Sequence, residues 1–335
     1  MNPPTTRLTI NEIAELVGVS KKTVSRFFNH PELLSAETRA KLEAVINQTG
    51  FVPNPQARAL ALQRSSLIVL VHDESDRGVL ELVETAIGDA LRGTELALVL
   101  QPITGRNSAG EMRAMLDRLR PMGVILLPAR SDNQALVSAC DHAQVRCIPL
   151  GQTREQQGMA CDDRRAMAHL VTWLVKLGHR RIGLVSGPET SIIAQQRELG
   201  YLDSMADHGL DRGPSLIVPG DNTFDSGISA GRLLLEVSPR PTAVIACNDE
   251  MAAGVLHAAA HTGVSVPGQL SVVGFDDAPL ATRTLPALTS MHIPWDRMAQ
   301  EAVRRIASVE QAPVAGQRFD IELVLRDSVQ PVTPS

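Results

Sequence analysis

Seven short aliphatic runs, "LIVLVHD", "LALVLQP", "GVILLP", "VRCIPL", "RIGLVSG", "TAVIACND" and "SVVGFDD", recur after Ser66 with amphipathic helical stretches between them. Near-continuous apolar strands need cover on both faces, the condition of a parallel sheet with helices above and below. Seven are too many for one compact sheet of ordinary size, so an α/β body of two lobes is expected, dividing near residue 160. Aromatic residues make up 3% of the chain while 44% is hydrophobic, so the interior must be packed with Val, Leu, Ile and Ala. In open parallel sheets ligands bind beyond the carboxyl ends of the strands. Polar groups gather there, in His72-Asp73-Glu74, Asn248-Asp249 and Asp276-Asp277. Taken singly, Asp249 and Asp277 are best read as helix caps; two such pairs at the ends of separate strands point to a site. Arg197 in "AQQRELGY" suits a helix surface as well as a ligand contact, and His179 in "KLGHRRIG" is expected to be structural.

The first 64 residues follow a different plan. Thr9 and Glu12 form a capping box, and Ile10, Ile13, Ala14 and Val17 then recur on one helical face. Gly18 stops this helix, Val19 turns inward and Ser20 caps a second helix. That helix is expected to bury Val24 and Phe27 and to leave Lys21, Lys22, Ser25 and Arg26 outside. Ser35 caps a third, which should bury Leu42, Val45 and Ile46 and stop at Gly50. Two helices across a tight turn with a third bracing them is the helix-turn-helix plan, whose second helix enters the major groove of DNA. Charge agrees in sign. Residues 1–64 carry eight Lys or Arg against five Glu, +3, so the other 271 residues hold −8 of the chain's −5. A helix N-terminus suits phosphate, and lysines and arginine near it can reach guanine acceptors. Residues 51–64, "FVPNPQARALALQR", read as a linker or as a short helix that forms only when supported, with Leu60 as an apolar tip shaped for a minor-groove wedge.

Several function classes are set aside. The longest apolar runs fall short of a membrane span, and "MNPPTTRLTINEIAE" has no apolar signal core, so a cytoplasmic protein is expected. Cys140, Cys147, Cys161 and Cys247 show no metal-ligand spacing and read as reduced thiols. There is no GxGxxG after the first strand, no GxxxxGK[ST], no GxSxG and no HExxH, so neither an enzyme nor a cofactor or metal is expected.

With these residues in view, the chain resembles the LacI-type family of bacterial transcriptional regulators nearly end to end. The resemblance is carried by "TINEIAELVGVSKKTVSRFFN", "LSAETRAKLEAVINQTGFVPNPQARAL", "LGHRRIGLVSGP", "ACNDEMAAGVL", "PGQLSVVGFDDAPLA" and "ELVLRDS". It implies a helix-turn-helix head over residues 1–51, a hinge helix over 52–64, and a two-lobed core over 65–335 like periplasmic sugar-binding proteins. It also implies a homodimer on a pseudo-palindromic operator and a small effector, a sugar or sugar acid, between the lobes. Lys21 and Lys22 fall on the family's main base-reading positions, with Arg26 beside them and Ser20, Thr23, Ser25 and Asn29 along the same face. Asn54, Ala57 and Leu60 fall on hinge positions, Leu60 on the wedge. Arg197, Asn248, Asp249 and Asp276 match effector-pocket positions.

Two departures stand out. The family usually carries a stacking aromatic after "GD"; "GDNTFDSG" has Asn222 there, with Phe224 two residues later as the candidate substitute. The family's Asp-Asn stretch reads "CDDRRAMAHL". The function expected is a sequence-specific DNA-binding regulator, a repressor of a carbohydrate-use operon tuned by a sugar-type effector. The rival is a periplasmic-receptor-type sugar-binding module without a transcriptional role, which leaves the head unexplained. A dimer is favoured because no extended heptad tail follows residue 327.

Overall fold

Local signals start and stop the first helices. Thr9 caps α1 (Ile10–Val17): its Oγ1 accepts from the Glu12 amide, and Glu12 Oε2 accepts from the Thr9 amide at 2.6 Å. Gly18 ends α1 at φ +73°, a backbone region that costs glycine little, and sends its N–H back to the last turn. Ser20 Oγ accepts from the Thr23 amide at 3.1 Å and opens α2 (Lys21–Asn29). Ser35 does the same for α3 (Ala36–Thr49) through the Thr38 amide. The three helices enclose a small core of Ile13, Ala14, Val24, Leu42 and Phe51. Phe27, Val45 and Ile46, expected to be buried, are only half-buried around it, because three short helices enclose few positions fully.

The computed structural model describes residues 8–29, 33–49, 51, 65–73, 77–105, 107–128, 130–151, 158–308 and 316–332. The chain divides into two units, Met1–Ser66 and Leu67–Ser335. The expected hinge helix over 52–64, with Asn54, Ala57 and Leu60, and the expected stop at Gly50 lie outside the described residues.

In the larger unit the order is β1 (Leu67–His72), α4 (Arg77–Leu91), β2 (Ala97–Pro102), α5 (Ser108–Leu119), β3 (Gly123–Leu126), α6 (Gln134–His142) and β4 (Arg146–Pro149). These strands make a parallel sheet in the order β2-β1-β3-β4. Side chains alternate across it: Ile68, Leu70 and Ile125 face α4, while Val69, Val71, Val124 and Leu126 face α5 and α6. The edge strand β2 is the exception to the expected two-sided burial, since an edge has one neighbour and its Leu100 is exposed.

The chain then runs through β5 (Met159–Cys161), α7 (Asp163–Lys176), β6 (Ile182–Ser186), α8 (Ile192–Asp207), β7 (Ile217–Pro219), α9 (Phe224–Glu236), β8 (Ala243–Ala246), α10 (Asp249–His261), β9 (Ser271–Asp276) and β10 (Thr289–His292). It closes with α11 (Trp295–Ala307), β11 (Gln317–Phe319) and β12 (Glu322–Val324). The second sheet has the order β12-β10-β9-β8-β6-β7, parallel except where β12 meets β10. Helices α9 and α10 approach closely over glycines: a Cβ on Gly254 would lie 2.3 Å from the Phe224 carbonyl oxygen.

All seven expected strands are present. The expected division near residue 160, however, marks only the first crossing between the lobes. Helix α11 returns to the first lobe, where it packs on α4 and its Ile306 fills the space beside Gly123 of β3. β11 pairs with β5, and β12 goes back to the second sheet. Each lobe is therefore built from separated stretches of chain. No helix among the described residues is long and apolar enough to cross a membrane.

Candidate functional site

Two regions carry the chemistry. In the first unit, Lys21, Lys22 and Arg26 are exposed on α2, and among the described residues no carboxylate pairs with them. Val24 anchors the opposite face of the helix in the core. Ser20 and Thr23 close the N-terminal turn, their hydroxyl oxygens 2.8 Å apart and the Thr23 amide donating to Ser20 Oγ, with the two lysines exposed at the helix start. Ser25 is half-buried beside them, and Asn29 is the last residue of α2. A cationic helix start held by a capped turn is a physical footprint for a polyanion.

In the second unit, a cavity opens beyond the carboxyl ends of the strands. Its empty space, with the open mouth included, is about 400 Å³. Asp276 ends β9, Asn248 follows β8, and Arg197 reaches in from the second turn of α8. Asn222 precedes α9, and the first lobe contributes Pro128, just beyond β3, and Trp295 at the head of α11. The lobes also touch at α8, where Asp132 Oδ2 accepts from the Ile192 amide at 3.3 Å.

Arg197 is the electrostatic centre. Only 4% exposed, it stacks on the Phe275 ring at 4.4 Å and donates from Nε to Asp163 Oδ1 at 2.8 Å. Its Nη1 donates to the Cys247 carbonyl, and its Nη2 lies 3.8 Å from Asp276 Oδ1. Burial works against the guanidinium charge, but Asp163 and Asp276 together outweigh it and raise the pKa further, so Arg197 stays charged. Burial pushes Asp276 up to about 6, opposed by Arg197, and raises Asp163 in the same way. The guanidinium of Arg197 thus lies between the carboxyl groups of Asp163 and Asp276. Burial also pushes the Cys247 and Cys161 thiols nearby up to about 12, keeping them protonated.

The backbone under Asp276 is strained. Asp276 and Asp277 have φ of +99° and +57°, which non-glycine residues seldom adopt, and such strain persists where the surroundings enforce it. Asp249 is the brace. Its Oδ2 accepts from the Ala278 amide at 2.7 Å and its Oδ1 from the Ser290 hydroxyl at 2.6 Å, while Ser290 Oγ also accepts from the Asp277 amide. Asn248 caps α10 through the Met251 amide and donates to the Asn222 carbonyl at 2.9 Å, fixing the loop that carries Asn222.

The expected effector residues therefore divide. Arg197, Asn222, Asn248 and Asp276 line one cavity. Asp249 lies beneath it as a support. Phe224, the candidate stacking ring, is turned away: its side chain packs edge-on against His257 of α10, 5.7 Å between centroids, because α9 begins at Phe224 and presses on α10 there. The aromatic in the cleft is Trp295, which sequence reasoning missed because "HIPWDRMAQ" reads as an ordinary helix start. Asp163 was missed too, disguised as a first-turn helix acid behind its N-cap Asp162; the altered "CDDRRAMAHL" was the available signal. His179 is enclosed, its ring nitrogens against the Thr242 hydroxyl and the Gln330 carbonyl, and burial lowers its pKa.

Comparison with known proteins matches both regions. Residues 9–54 match the family described as bacterial regulatory proteins, lacI family, and residues 171–329 match a periplasmic binding protein-like domain. The transcriptional regulator CelR of Thermobifida fusca is 32% identical, over 96% of this chain and 98% of its own length. AscG of Escherichia coli K12 is 31% identical, over 98% of this chain and 99% of its own length. Among solved structures, a CelR–cellobiose complex aligns over 96% of this chain and 100% of that one, with a TM-score of 0.71 and 28% identity. The lac repressor dimer bound to operator and an anti-inducer aligns over 97% of this chain and 100% of that one, with a TM-score of 0.72 and 26% identity. With a helix-turn-helix head, a cleft between two parallel-sheet lobes and this identity over nearly its whole length, the chain belongs to the lacI family of bacterial regulatory proteins.

Proposed function

We propose that this regulator is a homodimeric repressor that grips a pseudo-palindromic operator through α2 and is tuned by an uncharged polyhydroxy ligand, a sugar, held in the cleft. The observation that carries the ligand class is the pairing of Arg197. An arginine waiting for a carboxylate or phosphate would keep its fork open, whereas here Asp163 takes Nε and Asp276 faces Nη2. A sugar acid would meet two carboxylates with no spare cation between them. Hydroxyls donate to Asp276 and accept from Asn248 or Arg197, so a neutral polyol satisfies the set. The cellobiose held by the related CelR structure is of that class.

Lys21 and Lys22 are the base-reading residues, and Ser20, Thr23, Ser25, Arg26, Asn29, Asn54, Ala57 and Leu60 complete the DNA contacts. The protein acts in the cytoplasm and has no catalytic role. Ligand closes the lobes, and its differential affinity for the two states sets operator release; a tenfold drop in operator affinity requires ~1.4 kcal/mol of coupling. A gel-shift with the adjoining promoter, with and without neutral sugars and the corresponding sugar acids, tests the reading. Release by a neutral sugar supports it, and release by the acids alone overturns it.

A further inference from the structure

Helix α10 is anchored along one side, where Met251, Ala252, Val255, Leu256, Ala258 and Ala259 are buried. It closes on His257-Ala258-Ala259-Ala260-His261, and both histidines are exposed. Four residues apart on a helix, they share a face. Their ring centroids lie 4.5 Å apart with the planes tilted by 54°. His72, His142, His179, His208 and His292 each commit a ring nitrogen to a neighbour. His257 and His261 commit none among the described residues: their contacts are with each other and, for His257, with the edge of Phe224. Neither lines the cleft.

We propose that His257 and His261 chelate one late first-row divalent cation on the outer face of α10, Cu2+ most tightly, with Ni2+ and Zn2+ behind it. Imidazole is a ligand for these ions, and their affinity order is set by the metal. Metal–nitrogen bonds of ~2.0–2.1 Å at adjacent coordination positions put the two ligating nitrogens about 3 Å apart. Two rings already side by side on one helical face reach that separation by side-chain rotation alone. The spacing is that of the two histidines in HExxH, which hold zinc from one face of a helix. Alanines replace the glutamate of that motif, so this pair has no general base and holds the ion without hydrolytic chemistry. His261 is the last residue of α10, where the free carbonyl ends carry partial negative charge and favour a cation. No third histidine, cysteine or carboxylate joins the pair among the described residues, so water fills the remaining positions. The site is independent of the operator and of the cleft ligand.

The test uses the untagged full chain at pH 7.5, titrated with CuCl2, NiCl2, ZnCl2 and MgCl2 by calorimetry. Retention on immobilised Cu2+–iminodiacetate is measured in parallel. The expected result is binding of Cu2+ ahead of Ni2+ and Zn2+, with Mg2+, which takes oxygen ligands, leaving the pair untouched. His257→Asn and His261→Asn should each weaken Cu2+ binding about a hundredfold, because the second imidazole binds intramolecularly at high effective concentration. The double variant should lose little more than either single one, the mark of two ligands acting on one ion. His169, exposed on α7, serves as the isolated imidazole, and His169→Asn should leave affinity and retention unchanged. Unaltered Cu2+ affinity in either single variant of the pair, or an equal loss in His169→Asn, overturns the assignment. Should a variant fail to fold, electron paramagnetic resonance of the native chain with substoichiometric Cu2+ decides. Splitting from two imidazole nitrogens supports the chelate, and splitting from one or none overturns it. Failure of this site leaves the proposed regulator function standing, since neither operator nor sugar enters the measurement.

Discussion

Replacing Arg197 with methionine keeps most of the buried hydrocarbon stem and removes the cation that lies between Asp163 and Asp276. At an effective dielectric of ~20, unit charges 2.8 and 3.8 Å apart attract by about 6 and about 4 kcal/mol, gross values partly offset by the desolvation of the guanidinium. Breaking a buried pair by removing one partner leaves a net loss of ~3–5 kcal/mol. For a unit the size of Leu67–Ser335, unfolding entropy converts each kcal/mol to ~2 °C, so the melting temperature should fall by ~6–10 °C at pH 8.

The deficit must also depend on pH. A carboxyl whose folded pKa is raised makes the fold less stable as pH rises from its unfolded to its folded value. For Asp276 in the native chain this window runs from about 4 to about 6. Without Arg197, which opposes the rise of both carboxyls, their pKa values climb further and the window extends upward. The variant should lag the native protein most at pH 8 and least near pH 5, where both carboxyls take up protons. Calorimetry of both proteins from pH 5 to 8 measures it. A deficit below ~2 °C, or one as large at pH 5 as at pH 8, would refute the description of Arg197 as the charge that holds two buried carboxylates together.

Lys21→Ala and Lys22→Ala should each weaken operator binding by ~1–3 kcal/mol where the side chain reads a base edge, and a scrambled duplex measured in parallel separates base reading from phosphate contact. Asp276→Asn should retain operator binding at 25 °C but lose release by the inducing sugar, as read by gel-shift; release at native sugar concentrations would move the effector site elsewhere. Gly254→Ala drives a methyl to 2.3 Å from the Phe224 carbonyl oxygen, so overpacking should lower stability by ~1–3 kcal/mol in urea unfolding while spacing α9 from α10.

The aliphatic runs and the head were legible because both are local signals. A capping box at Thr9, a left-handed stop at Gly18 and a hydroxyl cap at Ser20 act within four residues, and the structure forms each where the residue types demand it. The apolar runs from β1 to β9 carry their burial in their own composition. The strands that escaped notice are β5, β7, β10, β11 and β12, which are three or four residues long. β10, "TSMH", is the clearest case. Its Thr289 and Ser290 are buried polar residues whose partners are Ser328, Arg326 and Asp249, none of them near in sequence.

What the sequence determined by itself, then, is the element menu and the motifs that carry the family resemblance; that Arg197, Asn248 and Asp276 meet at one cleft was what the resemblance implied, and the structure lines one cavity with them. Tertiary structure alone decided which aromatic faces that cleft, which carboxylate holds Arg197, and which lobe α11 belongs to. The reason is one of range. Capping, helical periodicity and strand hydrophobicity are free energies of neighbouring residues, so a linear string records them. The direction of a ring or the ionisation of a buried carboxyl depends on distant segments, such as Asp163 and Cys247, 34 and 50 residues from the Arg197 they surround. Phe224 sits beside the position where the family keeps its aromatic, yet α10 claims its ring; Trp295, some seventy residues on, reaches the cavity because α11 crosses back to the first lobe.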